Sequence, residues 1–471
     1  MKKGISLVLA LALSISSLTL ASCNKKPTTT DYDKVYPDRN VYTYSYDIIG
    51  GESVMPVSVY YGPYTPNGST NGNVMPDFTD EYYIKMLADA GIKLYTYCPE
   101  SYPQAKESIQ KVLTLSEKYN IGYYVNAYNV TSMSHGMTEV TDEVVAELIK
   151  DLSEYKSFVG FYSFDEPYYE YVEAIGKLNE TVDRLSNGKY STYVNLLPEY
   201  EKMNIKYTAG TEDISYEQYV NHFATNGNSK YVSYDHYAFE SNNRSYFKNM
   251  ELVRRKAEEN QKPFWGFIQS GGQYNDAGVE FESLPKAYPT EGQLIWNVNT
   301  TLACGAKGMQ YFLGFQPLHF AYAPNGTYDF TRNSFFGSVG NVNQWYYYAQ
   351  KVNRQIDAID EILMKAYNVG VIASDSVKGD FEGNTMLIES GKFHQLKGIR
   401  GEALIGCFEY QKRTVLYVVN YSHNKANDVI LDLNDTHEMK IIQRGKTLTA
   451  NEQHLGVHLE AGEGVLVEFV K

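Results

Sequence analysis

Two adjacent carboxylates, Asp165 and Glu166, close an apolar, β-branched and aromatic run that begins at Phe158, and Pro167 follows them directly. A run of this kind reads as a buried parallel strand, which would hold both carboxyls on a rigid edge where strand gives way to loop. Pro167 cannot continue a ladder and biases Glu166 toward an extended backbone, so the chain itself is expected to aim the Glu166 carboxyl. That arrangement suits a positioned acid. The plainer alternative is that Asp165 and Glu166 merely open the next helix, where acidic residues favour the positive end of the dipole.

Other residues that could do chemistry fall at the ends of similar runs: Tyr61, Asn126, Asn195, Asp235 with His236 and Tyr237, Trp265 with Gln269, and Tyr311. Carboxylates, amides and aromatics dominate this set, and its only candidate cations are histidines. Such a set fits a neutral, hydroxyl-rich ligand, with donors and acceptors for hydroxyls and apolar faces for C–H surfaces. The chain holds 44 Tyr against 20 Phe and 3 Trp, and a Tyr ring offers both an apolar face and a hydroxyl. The nine His form no HExxH, and neither a calcium loop nor a phosphate-cradling glycine loop is present. No metal and no cofactor is therefore expected.

The elements that must position these residues alternate regularly. Candidate strands lie at 54–61, 92–97, 121–128, 158–164, 190–196, 231–237, 263–269 and 307–313, separated by amphipathic stretches. Helix starts are signalled by the capping boxes Ser215-x-x-Gln218 and Thr290-x-x-Gln293 and by Thr79 and Thr141, each followed by Asp-Glu. Eight strand and helix alternations fit a closed parallel barrel better than an open doubly wound sheet. From about residue 366 the pattern changes to short strands at 368–373, 403–410, 414–421, 428–433, 439–444 and 464–470 with no long helix between them. The expected fold is thus α/β, a (β/α)8 barrel over 46–365 followed by a C-terminal antiparallel β-sandwich over 366–471.

A Glu ending the fourth strand, the segment Gly305-Ala-Lys-Gly-Met-Gln-Tyr-Phe312 in the eighth, and the C-terminal sandwich together resemble the clan A glycoside hydrolases over nearly all of the chain. In that clan an Asn-Glu-Pro triplet ends strand four and a second Glu ends strand seven. Asp165-Glu166-Pro167 matches the triplet with Asp for Asn, so the resemblance implies that Glu166 is the general acid/base and that Asp165 contacts a substrate hydroxyl. Strand seven ends in Gln269, which cannot be the clan's nucleophile. Asp235 is the first choice for the second carboxylate, with Glu280 and Glu282 as alternatives. Tyr61, Asn126, Asn195, Tyr237, Trp265, Gln269 and Tyr311 are the expected substrate contacts, and a carbohydrate is the expected partner. Two other functions remain open at this point. One is a substrate-assisted N-acetylhexosaminidase, with Asp165 orienting the acetamido group. The other is a glycan-binding protein without turnover.

The N-terminal residues carry an address. Met1-Lys-Lys-Gly, an apolar run from Ile5 and then Leu20-Ala-Ser-Cys23 read as a signal segment over 1–22 with cleavage before Cys23. The pattern resembles a bacterial lipoprotein signal, which implies diacylation of Cys23 and a flexible tether over 23–45. Residues 1–22 contain two Lys and no acid, so their removal takes the formal charge from −14 to −16. That charge argues against nucleic acid as a partner. Cys98, Cys304 and Cys407 are odd in number and lie in apolar stretches, so buried thiols are expected. The expected location is the bacterial cell envelope outside the cytoplasm, with membrane contact through the lipid only and no protein partner evident. Cys23→Ser should yield no lipidated mature form, as read by incorporation of labelled fatty acid; label on that variant would overturn the site.

Overall fold

Eight parallel strands close into a barrel in a computed structural model that describes residues 54–66, 69–70, 73–199, 205–210, 213–239, 245–272, 288–321, 329–393 and 395–470. Cys23, the tether, Glu280 and Glu282 lie outside the described residues. The strands are β1 (Val57–Tyr60), β2 (Leu94–Tyr97), β3 (Gly122–Asn126), β4 (Phe158–Asp165), β5 (Ser191–Leu196), β6 (Val232–Tyr234), β7 (Phe264–Gln269) and β8 (Met309–Phe312), and β8 pairs with β1 to complete the ring. Helices follow the strands in turn: α1 (Glu81–Asp89), α2 (Lys106–Lys118), α3 (Tyr128–Ser134) with α4 (Asp142–Leu152), α5 (Val172–Leu185), α6 (Tyr216–Asn226), α7 (Tyr246–Glu259), α8 (Glu291–Ala303) and α9 (Gln344–Ile356). The short α10 (Asp360–Lys365) leads out of the barrel.

Side-chain caps start α1, α6 and α8. Ser215 and Thr290 form reciprocal capping boxes with Gln218 and Gln293, so two otherwise orphaned backbone donors are satisfied at each end. Thr79 proves not to cap α1. Asp80 does, accepting the Tyr82 N–H, while Thr79 donates its hydroxyl to Asp77. Thr141 stands at the N-cap of α4 with an extended backbone but makes no side-chain cap bond.

The barrel interior is filled by rings. Tyr60, Tyr124, Tyr162, Tyr193, Tyr231, Trp265 and Phe267 form one buried cluster, and Trp265 stacks on Tyr231 with centroids 3.9 Å apart. Val57, Val59, Val194, Val232, Met309 and Tyr311, at the alternate positions, join the larger core between strands and helices. Strand parity therefore divides inside from outside. In β4 the parity is broken, because a register shift lies between Tyr162 and Phe164 where β4 pairs with β5. Tyr162 faces the interior cluster and Phe164 the outer core. A bulge of this kind re-aims the residues that follow it.

The C-terminal residues form one antiparallel sheet of β9 (Tyr367–Ala373), β10 (Leu396–Arg400), β11 (Ala403–Tyr410), β12 (Arg413–Asn420), β13 (Asn427–Gln443), β14 (Lys446–Leu459) and β15 (Gly464–Phe469). The order is β9-β11-β12-β15-β13-β10, with β14 added to β13. The expected strands at 428–433 and 439–444 are one long strand, β13. Its two halves carry different neighbours, β10 along 430–433 and β15 along 439–442. Residues 294–303 of α8 are buried throughout, because barrel and C-terminal sheet cover opposite sides of it. Asn297 accepts the Gln269 backbone N–H at 3.0 Å on one side. On the other, Asn299 accepts the Tyr417 hydroxyl at 2.6 Å and donates to the Gly462 carbonyl at 2.8 Å. Cys98, Cys304 and Cys407 are buried free thiols.

Gly160 marks a close approach of β4 to β5. Its φ is +144°, and a Cβ there would lie 1.8 Å from the Ser191 carbonyl oxygen. Gly160→Ala must separate the two strands that carry Asp165 and Asn195, and should cost about 2–4 kcal/mol. A shift of the urea midpoint to lower concentration, with the slope unchanged, checks this.

Candidate active site

Parity carries three polar side chains to the upper rim of the barrel interior. Asn195 lies two residues beyond Tyr193 on β5, and Asp235 lies two beyond Ser233 at the end of β6. Asp165 follows the bulge in β4. They converge on one atom: Asn195 Nδ2 donates to Asp165 Oδ1 at 3.3 Å and to Asp235 Oδ1 at 3.1 Å. An amide nitrogen carries two hydrogens, so one side chain can donate to both carboxylates at once.

The amide is held in that orientation from below. Ser233 Oγ donates to Asn195 Oδ1 at 3.1 Å and accepts from Gln310 Nε2 at 2.7 Å. Since the Ser233 proton is committed, Tyr193, whose hydroxyl is 3.2 Å from Ser233 Oγ, acts as donor to it. A directed chain thus runs from Gln310 and Tyr193 through Ser233 and Asn195 to both carboxylates. From outside the barrel, His236 Nδ1 donates to Asn249 Oδ1 at 2.7 Å, and Asn249 Nδ2 donates to the Tyr216 hydroxyl at 2.7 Å. These bonds pin the end of β6 to α7 and α6. Asp235 is 8% exposed, whereas Asp165 and Glu166 are exposed.

Asp165 faces a wall of phenols. Burial first, and then the Asp165 charge, push the hydroxyls of Tyr60 and Tyr162 well above the ordinary tyrosine range. Tyr193 is raised as well, by burial and by the same charge against the opposing Ser233 bond. Tyr97 is pushed up to about 12 by burial, Cys98 and Asp165. These phenols stay protonated in the neutral range and so remain donors. Their rings supply the apolar surface: Tyr60 stacks on Tyr97 at 4.8 Å, and Tyr61 meets Tyr97 edge-on at 5.2 Å. Tyr61 is half-buried, with its hydroxyl 3.5 Å from His319 Nε2.

Several expectations are corrected here. Glu166 is not extended; its φ is +54°, a left-handed backbone that costs energy in a non-glycine residue. Its N–H is held by the Asn195 carbonyl at 2.8 Å. Its charge raises the Tyr219 phenol on α6, along with burial as the main cause and with Asp235. Asn195 is 1% exposed with its amide engaged between carboxylates, so it positions other groups rather than meeting substrate. Trp265 is 0% exposed inside the barrel against Tyr231, too deep for a ligand. Gln269 is buried, and its side chain accepts the Phe239 N–H at 3.2 Å. Tyr311 faces outward and donates to Asn353 at 2.7 Å. Tyr237 is buried against Phe312 and Phe267. Asn126 is half-buried at the rim and accepts from Thr131 at 3.3 Å. Ser233, Gln310 and Tyr193 were not singled out from the sequence; their only signal was a spacing of two from other inward-facing positions.

A groove of about 1300 Å³ lies elsewhere, between α6, α7 and the C-terminal sheet, and its walls include neither Asp165 nor Asp235. Convergent carboxylates, not volume, mark the site. No family model matches the chain, and no curated protein matches it. Among solved structures it is similar to a β-galactosidase from Marinomonas ef1, at 9% identity over 68% of this chain and 63% of that one, with a TM-score of 0.45. It is also similar to a β-L-arabinopyranosidase from Geobacillus stearothermophilus, at 8% identity over 89% and 97%, TM-score 0.44. A family 51 α-L-arabinofuranosidase from Bifidobacterium longum gives 10% identity over 88% and 96%, TM-score 0.41. With likeness this distant, what the site does has to be read from this chain's own side chains.

Asn195→Asp tests the bridge. It would place a third carboxylate between two others, which raises their folded-state pKa values above the unfolded ones. Stability of the variant should then be fullest at acid pH and fall as the pH rises toward neutrality, by about 2–4 kcal/mol relative to wild type. Thermal melts across pH 4–8 check the sign.

Proposed function

We propose that this protein is a glycoside hydrolase that cleaves neutral glycans outside the cytoplasm, tethered by lipid at Cys23, with Asp165 and Asp235 as its paired carboxylates. The observation that carries this reading is the single amide nitrogen of Asn195 shared by carboxylate oxygens from two strands. The mechanism we propose is the retaining one, in which one carboxylate bonds the anomeric carbon and a water then releases the sugar.

Asp165 is the nucleophile. It is open to the mouth and lies among protonated phenols that can donate to its ionised form. Asp235, the more buried of the two, gives its proton to the leaving oxygen as the Asp165 oxygen bonds to the anomeric carbon. It then takes a proton from the water that releases the sugar. Asn195 holds the two apart and in register, and Tyr61 and Tyr97 offer apolar faces to the ring. A second reading gives the acid role to Glu166, and its left-handed backbone favours it, since strained conformations gather at working sites.

Aryl glycosides and neutral oligosaccharides separate these readings. Asp165→Ala should lose at least about 1,000-fold in turnover, and added azide should restore cleavage with a glycosyl azide of inverted configuration. Asp235→Ala should lose about 100 to 10,000-fold on unactivated substrates but far less on aryl glycosides with good leaving groups. Glu166→Gln should keep turnover within about tenfold; a loss matching that of Asp235→Ala would transfer the acid role to Glu166.

A further inference from the structure

An aromatic track lies on the outer side of the barrel rim, along the segments that follow the third and fourth strands. Phe164, next to Asp165, stacks under His135 with centroids 3.8 Å apart, and Tyr171 packs on both, at 5.2 Å from Phe164 and 5.9 Å from His135. Tyr168 continues the series, near parallel to Tyr171 at 6.4 Å. Burial decreases along it, from Phe164 in the core to Tyr168 at 38% exposed. His135 caps α3, whose first residue, Tyr128, is 60% exposed. Residues seven apart share a helix face, about 10 Å from end to end. Tyr128, His135 and Tyr168 therefore offer ring surface over a length greater than one sugar ring.

The track is stiff where it leaves the site. Tyr171 N–H bonds the Tyr168 carbonyl at 3.0 Å, and Tyr169 N–H bonds the Tyr207 carbonyl at 2.8 Å. Tyr169 stacks on His222 at 4.0 Å. Between them Glu170 accepts from the Thr208 hydroxyl and from the N–H groups of Ala209 at 3.2 Å and Gly210 at 3.1 Å. Burial opposes the Glu170 charge, but these bonds outweigh it and hold the carboxyl below its ordinary range. Rings fixed in place bind without a further ordering cost.

We infer that Tyr128 and Tyr168 form a platform for sugar residues beyond the cleaved bond, so that the substrate is a neutral oligo- or polysaccharide chain rather than a short glycoside. The inference rests on the glycosidase reading. The segment that carries Tyr168 leaves β4 directly after Asp165, Glu166 and Pro167, which puts the platform beside the site, and the carboxylates of Asp165, Glu166 and Glu170 near it disfavour an anionic chain. Exposed tyrosines bind the C–H faces of sugar rings and hydrogen-bond their hydroxyls, which is worth about tenfold in affinity per ring.

The test uses Tyr128→Ala, Tyr168→Ala and the double variant of the full chain, both side chains being exposed and outside the hydrogen bonds that join Asp165, Asn195 and Asp235. Rates are measured on aryl monoglycosides and on oligosaccharides of two to six units from neutral glucans, xylans, mannans, galactans and arabinans. The double variant should keep its rate on the aryl monoglycoside within about twofold and lose about 10 to 100-fold in kcat/KM on the longest oligosaccharides, mainly through KM. An equal loss on both substrates, or no loss on the long ones, overturns the platform. If the wild type cleaves none of them, the glycosidase reading fails, and electrophoresis through gels of the same polysaccharides decides the platform separately. Retardation of the wild type that is lost in the double variant supports it; no retardation, or equal retardation, overturns it.

Discussion

Two carboxylates from different strands repel each other, and here the Asn195 amide, donating a hydrogen bond to each, offsets that repulsion and ties them to one point. An amide can do this because its nitrogen carries two diverging hydrogens, but it must be prevented from flipping, since the oxygen end would repel both acids. Ser233 prevents the flip by donating to Asn195 Oδ1, and Gln310 and Tyr193 prevent Ser233 from turning away. The three strands that contribute Asp165, Asn195 and Asp235 are neighbours in a closed ring, so their spacing is fixed by the ladder and not by flexible side chains. Polar groups with few alternatives are what give such a network one geometry.

Much of the tyrosine in the composition finds its explanation below this layer. Where aliphatic side chains would serve, the barrel is packed with phenols whose hydroxyls bond one another, a serine or a carbonyl. Tyr60 lies 3.3 Å from Tyr162, Tyr124 2.8 Å from Ser191, and Tyr231 donates to the Thr192 carbonyl at 3.2 Å. The rings supply the buried apolar area, and the satisfied hydroxyls avoid the penalty of a lone buried polar group. Abundant tyrosine suits a carbohydrate surface, but most of these rings never meet solvent. Among the exposed ones, Tyr128 and Tyr168 are on the rim, while Tyr82 and Tyr347 lie on the outer helices α1 and α9.

The C-terminal sheet acts on the site only at a distance. It covers α8, and α8 in turn holds β7 through Asn297 and the Gln269 backbone. A helix buried on all sides needs polar residues that reach in both directions, and Asn297 and Asn299 do so. Gln269, where a catalytic carboxylate was the expectation of the clan pattern, is therefore a joint between strand, loop and helix. An acid at that position would sit buried beside the Phe239 N–H.

The barrel, its eight strands and the C-terminal antiparallel region were legible in the sequence because they rest on local rules: alternation, capping residues, and the lengths of strand and helix. Exposed β14 was not legible, because its residues are polar and gain their order from pairing with β13. Neither was the continuity of β13, which crosses a turn-like Asn434-Asp435 by shifting register. At the site, the residue types in Asp165-Glu166 and Asp235 were enough to locate chemistry at the ends of strands four and six. Which carboxyl faces the axis was decided by the bulge between Tyr162 and Phe164, and which residue bridges the pair was decided by the stagger of β5 against its neighbours. Register is a relation between strands, set by the closure of the whole ring, and a one-residue change in it moves every following side chain to the opposite face. No single segment of sequence contains that information.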